Sequence, residues 1–294
     1  MNLRQYLSER KAIIDESLDK LLPYDSEYPN IIHKSIRYSI FSGGKRIRPI
    51  LVMASAETVG GSFQDVIPIA CGVELIHTYS LIHDDLPALD NDNYRRGKLT
   101  NHKVFGEEIA ILAGDALLTM AFEIISNEQN KVNSHKILQI INELARSCGT
   151  KGMIGGQVVD LESEGKQINI STLEYIHINK TAALINASIR AGAIYFDASE
   201  EQLNMLTKYA EKLGLLFQIT DDLLDLEGDI KKIGKPVGSD IKNKKATYPR
   251  LCGIDKTYSI AHKLADEAKE IAGSFGEKGT FFNLLPDYLL TREF

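Results

Sequence analysis

Cysteine is scarce and poorly placed for cross-linking. The chain has three, Cys71, Cys148 and Cys252, widely separated and never in a CxxC pattern. Neither a disulfide framework nor a zinc site is expected, and a reducing cytoplasm is the expected location. Positive charge is not in excess either. A net charge of -6 argues against nucleic acid as the main partner, because binding a phosphate backbone leans on surplus Lys and Arg. Any anion binding must therefore be local. A continuous apolar leader is absent, since Met1 to Lys20 alternates charged and apolar residues at helical spacing. The greasiest stretch, Val66 to Ile82, is broken by Pro68, Glu74 and His77. It reads as a buried core helix, so no integral membrane segment is expected. Low-complexity tracts, long linkers and repeats of about 20 to 50 residues are also missing. A single domain over 1–294 is the simplest organisation.

What remains is apolar material arranged for helices. Hydrophobic residues make up 44% of the chain and charged residues 25%, enough to bury a large core. They recur three and four apart, as at Ile137, Ile140, Ile141 and Leu144, while alternation with a period of two is almost absent. The reading is all-α, a bundle of about a dozen helices. They are expected near 2–22, 28–41, 49–59, 66–85, 106–126, 133–148, 151–164, 171–196, 200–228, 246–253, 256–273 and 279–290. Breakers mark the joints, among them Pro23, Gly43-Gly44, Gly60-Gly61, Pro87 and Gly97.

Two acidic clusters end apolar runs. In the first, Asp84 and Asp85 are followed by Pro87 and then Asp90. Adjacent carboxylates at the end of a greasy run are costly unless a cation accompanies them. Hard oxygen ligands without cysteine suggest magnesium, which takes one or two carboxylates, waters and substrate phosphate oxygens. In an unbroken helix Asp84 and Asp90 would lie about 240° apart. Pro87 disfavours helical geometry at Leu86, so the chain can turn and bring Asp90 back toward the pair. The bland alternative is a capped helix and a polar loop. The second cluster is Asp221, Asp222 and Asp225, where a spacing of four puts Asp221 and Asp225 on one helical face, with Gln218 on the same stripe. Like charges at that spacing repel, so a cation makes better sense of them. Clusters in the two halves of a chain can face each other across a bundle and hold metals between them.

Cationic residues supply the complement. Gly43-Gly44-Lys45-Arg46-Ile47-Arg48-Pro49 joins a flexible pair to positive side chains suited to phosphate, although a basic turn is often only solvated. Arg95 and Arg96, directly after the first cluster, suit a clamp on a departing diphosphate. Lys180-Thr181 precedes an apolar face and stands outside any charge run. His77 lies seven residues before Asp84, on nearly the same face; a structural role is its bland reading.

These residues resemble the short-chain trans-prenyl diphosphate synthases, closest to bacterial farnesyl diphosphate synthases. The likeness rests on GGKRIRP at 43–49, LIHDDLPALDNDNYRRG at 81–97, AGDALL at 113–118, GGQVVDL at 155–161, KT at 180–181, FQITDDLLD at 217–225 and GKPVGSD at 234–240. Asn93 and Tyr94 depart from the commoner pattern. The resemblance implies an isoprenoid-synthase-like bundle around a deep central cavity, usually a homodimer, and a cluster of three Mg2+ ions held by Asp84, Asp85, Asp90, Asp221, Asp222 and Asp225. It implies that Arg95 and Lys235 hold an allylic diphosphate. Lys45, Arg48, His77 and Arg96 would form the pocket for isopentenyl diphosphate, and Lys180, Thr181 and Gln218 would line the carbocation. Asp84 and Asp85 would join them as catalytic residues. Chain length would be set at Tyr79, with Ser80 beside it. Tyr79 lies five residues before Asp84, about 7.5 Å down the helix, and could floor the cavity. The product implied is farnesyl diphosphate, with geranylgeranyl diphosphate as the alternative. A terpene cyclase is a further rival, with no need of the isopentenyl pocket. A metal phosphohydrolase built on His77, His83 and Asp84, and a silent partner subunit, are the others.

Overall fold

The computed structural model describes residues 1–130, 132–227 and 246–291. Its helices are α1 Leu3–Leu21, α2 Asn30–Ile40, α3 Ile47–Thr58, α4 Ile67–Asp84, α5 Asn101–Phe105, α6 Glu107–Ser126 and α7 Ser134–Cys148. They continue as α8 Met153–Ser163, α9 Ile170–His177, α10 Ala183–Tyr195, α11 Glu200–Glu227, α12 Tyr248–Cys252, α13 Ile254–Gly273 and α14 Thr280–Thr291. Local chemistry sets several ends. Asn2 and Asn169 cap α1 and α9 by accepting backbone N–H bonds from Gln5 and Thr172. Pro68 sits in the first turn of α4, where its missing donor costs nothing.

Two hydrophobic cores lie side by side. One gathers α4, α6 and α7 through Ile69, Leu75, Leu117 and Ile140. The other gathers α11, α13 and α14 through Leu216, Ala265, Phe282 and Leu285. Helices α3 and α10 belong to both. Val52 and Met53 of α3 and Ala187 and Ala191 of α10 face the first core, while Ile50, Leu51, Ile185 and Ile189 face the second. They form a shared spine, and their approach is close because Gly192 has no side chain: a Cβ there would lie 2.1 Å from the Val52 carbonyl oxygen. Each fully buried Leu or Ile contributes roughly 1.5–3 kcal/mol, so the spine fixes the two halves against each other.

Two segments, Phe63–Asp84 and α6, are long and apolar enough to cross a membrane by length and composition alone. The first is the buried centre of one core, as expected for Val66 to Ile82. Helix α6 packs along α4 but leaves Ile111 and Leu112 exposed.

Three features differ from the sequence expectation. A hairpin of two-residue strands, β1 Tyr94–Arg95 and β2 Lys98–Leu99, pairs Arg95 with Lys98, turning through Arg96 and Gly97, both at positive φ (53° and 75°). Helix α5 follows it. The helix expected over 171–196 is interrupted by a π-helical turn, Ile178–Ala182, where the Ala183 N–H reaches the Ile178 carbonyl.

Candidate active site

The first acidic wall is the end of α4. The helix stops as Leu86 N–H turns to the His83 carbonyl at 3.1 Å, and Asn91, at a φ of 51°, donates to the Leu86 carbonyl. Asp90 then comes back, its N–H donating to the Asp84 carbonyl at 2.9 Å. This is the return that Pro87 was expected to permit. Asp85 is buried and clasped by Arg95, whose Nε donates to both carboxylate oxygens at 2.7 and 2.9 Å and whose Nη2 lies 2.6 Å from Oδ1. The hairpin holds Arg95 in place. His83 turns away to α6, donating from Nε2 to the Ile111 carbonyl at 3.0 Å. Its ring occupies the space of an absent side chain, since a Cβ on Gly114 would lie 2.1 Å from it. That engagement disfavours a His77–His83–Asp84 metal centre.

The second acidic wall is one continuous face of α11. Asp222 is buried and accepts from the Tyr248 N–H at 2.9 Å, with Gln218 Nε2 at 3.5 Å and His177 Nε2 at 3.9 Å. Burial holds the His177 imidazole down to about 3, so it stands neutral beside that carboxylate. Thr181 donates to Gln218 Oε1 at 2.8 Å, and Lys180 pairs with Asp160 at 2.8 Å. Thr181 and Gln218, which the resemblance puts with Lys180 around the carbocation, are thus hydrogen-bonded neighbours. The π turn that carries Lys180 and Thr181 is reached closely from both sides. A Cβ on Gly156 would lie 2.3 Å from the Lys180 nitrogen, and one on Gly214 2.2 Å from the Ala182 Cβ. A cavity of about 90 Å³ opens here, lined by Asp160, His177, Lys180, Thr181, Gln218 and Asp222 among others.

A cationic pocket lies beside the first wall. Arg48 Nη1 and His77 Nε2 are 3.4 Å apart. Burial, followed by the charges of Arg48, Arg96, Arg95 and Arg46, drives the His77 imidazole well below its usual range. It is therefore neutral. Arg48 is itself pulled down by burial and supported by the charges of Glu74 and Asp221. Asp221 of α11 is therefore within electrostatic range of Arg48. Arg96 donates to the Gly43 carbonyl, and its guanidinium lies where a Gly44 side chain would be, 2.6 Å from such a Cβ. A smaller cavity, about 30 Å³, joins Arg95 and Arg96 to Asp85 and Thr78. Lys45 lies on the adjoining 43–46 stretch, between Gly44 and Arg46. Tyr79 is buried, edge-on to His83 at 5.7 Å, and burial pushes its hydroxyl up to about 12. Ser80 donates to the His77 carbonyl at 2.9 Å. Lys235 lies outside the described residues, as does the rest of 234–240.

The donor set fits magnesium. Among the described residues no three His, Cys, Asp or Glu side chains form a ready cage. A hard cation that takes only one or two protein carboxylates, with substrate phosphate oxygens completing its shell, does not require one. Sequence reasoning missed the partners that hold the site: Arg46, Glu74, Asp160, His177 and Tyr248. Glu74 did carry a signal, a lone carboxylate in the greasiest stretch of the chain.

Carboxylates at the end of α4 and along α11, with Arg48 on α3 and Arg95 and Arg96 on the hairpin, make a site suited to diphosphates. The comparison with known proteins gives the protein's family: the polyprenyl synthetase profile matches residues 29–277, and the chain belongs to that family. It is 45% identical to the farnesyl diphosphate synthase of Bacillus subtilis (strain 168), over 99% of this chain and 98% of that one. It is 47% identical to the geranylgeranyl diphosphate synthase of Cyanophora paradoxa, over 99% and 97%. Among solved structures, an FPP/GFPP synthase from Zymomonas mobilis superposes with a TM-score of 0.88 at 34% identity, covering 99% of both chains. The protein is a short-chain prenyl diphosphate synthase, a trans-prenyltransferase. Its relatives' names divide between farnesyl and geranylgeranyl products.

Proposed function

We propose that this synthase is magnesium-dependent and condenses isopentenyl diphosphate with dimethylallyl and then geranyl diphosphate, releasing pyrophosphate and ending at farnesyl diphosphate. The observation that carries the reading is the return of Asp90 to Asp84 beside Asp85, which Arg95 clasps. In this reading Asp84, Asp85, Asp90, Asp221, Asp222 and Asp225 hold up to three magnesium ions. Magnesium held by these carboxylates would supply the positive charge that makes the allylic diphosphate a better leaving group.

Arg95, joined by Lys235, holds the same diphosphate. The guanidinium stays oriented by Asp85, so no side chain has to be ordered during reaction. Lys45, Arg48, His77 and Arg96 bind isopentenyl diphosphate. A neutral His77 can donate one hydrogen bond without adding charge to that crowd of guanidinium groups. The allylic C–O bond breaks and its electron pair leaves with pyrophosphate. The isopentenyl double bond then attacks the allylic cation, forming the new carbon–carbon bond. A proton passes to pyrophosphate as the alkene is restored. Thr181 and Gln218, fixed to each other, and the carbonyls of the π turn at Lys180 line the cation with oxygen dipoles. The site has no need of a dedicated protein base.

Tyr79 supports a farnesyl product, because its buried ring lies one turn and a half below Asp84 on α4. The exposed Ile111 and Leu112 on α6 support a homodimer, since an uncovered apolar face of a long helix marks an association surface. Light scattering on the purified chain tests the dimer. The function is tested by incubating the chain with magnesium, isopentenyl diphosphate and geranyl diphosphate, then sizing the products. Fifteen carbons are expected; twenty would reassign the product, and no condensation would overturn the reading. Hydrocarbon formed from farnesyl diphosphate alone would favour the cyclase alternative.

A further inference from the structure

Arg46 and Arg48 stand two apart in one basic stretch and have opposite surroundings. Arg46, at a φ of 56°, turns its side chain into the protein. Its Nε donates to Asp15 at 2.8 Å, Nη1 to Glu74 Oε1 at 2.6 Å and Nη2 to the Ile40 carbonyl at 2.5 Å. The Arg46 and Glu74 side chains are each 1% exposed, so the pair is fully desolvated. Arg48 points into the cationic pocket and meets His77.

Glu74 is bonded to Arg46 and lies within electrostatic range of Arg48. Only one of its oxygens is engaged: Oε2 is buried and has no hydrogen-bond partner among the described residues. The Arg48 Nε is a buried donor in the same condition. A buried acceptor and a buried donor, each unsatisfied, are costly to maintain. These two also attract, because the Glu74 carboxylate is the leading charge supporting both Arg48 and Arg96. Glu74 lies on α4 three residues before His77, hence on the same helical face.

We propose that Glu74 is a positioning residue for the isopentenyl diphosphate pocket, anchoring Arg46 through Oε1 and steadying Arg48 by the negative charge it keeps buried on the helical face it shares with His77. Arg46, in turn, ties that carboxylate to Asp15, so α1 braces the pocket from behind. The inference rests on assigning Arg48, His77 and Arg96 to isopentenyl diphosphate. Glu74 touches no substrate in this scheme; it steadies the guanidinium groups that do. Burying one carboxylate among several arginines also limits their mutual repulsion before the substrate arrives.

Glu74→Gln is the discriminating variant. Its amide oxygen can still accept from Arg46, but the substitution removes the buried negative charge that steadies Arg48. Calorimetric titration with isopentenyl diphosphate is expected to show about tenfold weaker binding, with the same rise in its KM. The KM for geranyl diphosphate should stay within about twofold. If Glu74 only neutralises Arg46 in the core, the melting temperature falls and isopentenyl diphosphate binds as in the wild type, which overturns the proposal. Should Glu74→Gln fail to fold, the double variant Arg46→Met with Glu74→Leu removes the buried pair as a unit, a replacement that cores tolerate. Wild-type affinity in that protein would also overturn it. Wild-type chain that binds isopentenyl diphosphate but never condenses it would sink the functional reading and leave the binding comparison intact.

Discussion

Asp84, Asp85 and Asp90 belong to a helix that stops, whereas Asp221, Asp222 and Asp225 lie on one that runs on to Glu227. On α11 the repeat of the helix itself aligns the carboxylates. On α4 alignment depends on a turn, closed by the Asp90 N–H on the Asp84 carbonyl. Each wall nevertheless buries its middle aspartate against a protein donor, Arg95 for Asp85 and the Tyr248 N–H for Asp222. The difference lies in what the donor brings. Arg95 carries a charge that a diphosphate can share, while a backbone N–H only fixes direction. In the proposed reading the first wall grips the leaving group, and the second points at it.

Removing the buried carboxylates should have the largest effect. Asp85→Asn and Asp222→Asn are each expected to lower kcat by about 10²–10³, the scale of losing one preorganised electrostatic group, with unchanged circular dichroism. The comparison adds a distinction. Asp85→Asn also strips Arg95 of its partner, so its KM for geranyl diphosphate should rise, while that of Asp222→Asn should not. Equal KM values in the two variants would erase the contrast between the walls. Next in size is Pro87→Ala, which lets α4 continue and carries Asp90 off its returning path. A loss of about tenfold in kcat is expected from such a displacement, and steady-state kinetics at saturating substrate would read it. No residue of α11 has an equivalent dependence on a turn. Tyr79→Ala should leave turnover within about tenfold and lengthen the product toward twenty carbons by removing a buried ring; unchanged product length by chromatography would free Tyr79 of that role.

Much of this was readable from residue spacing. Helices expected at 66–85 and 133–148 are observed as Ile67–Asp84 and Ser134–Cys148, because their apolar stripes are long and regular. The hairpin at Tyr94–Leu99 was not readable, since strands of two residues have no period to detect. Nor was the π turn: one inserted residue leaves the apolar spacing of Leu173, Ile176 and Leu184 nearly unchanged, and the close packing around it depends on Gly156 and Gly214, distant in sequence. The acidic and basic site residues stood out as charges beside greasy runs. Which arginine of GGKRIRP serves the core did not, because the backbone angle of Arg46 leaves no mark in the residue pattern.

The smallest effect tests how far the second wall's rigidity extends. Thr181 reaches Asp222 through Gln218, by a 2.8 Å bond to Oε1 and a 3.5 Å approach from Nε2. Thr181→Val keeps the shape and removes the hydroxyl, leaving the amide oxygen of Gln218 without that donor. One neutral hydrogen bond contributes about 1 kcal/mol, so kcat should fall roughly three- to fivefold with KM values unchanged. The same substitution leaves the first wall untouched, because Asp85 takes its direction from Arg95 on the hairpin. A loss confined to kcat would mean that the π turn and α11 act as one unit around the cation. A rise in the KM for geranyl diphosphate instead would mean that Thr181 steadies the diphosphate end of the site, and that the two walls share the gripping role.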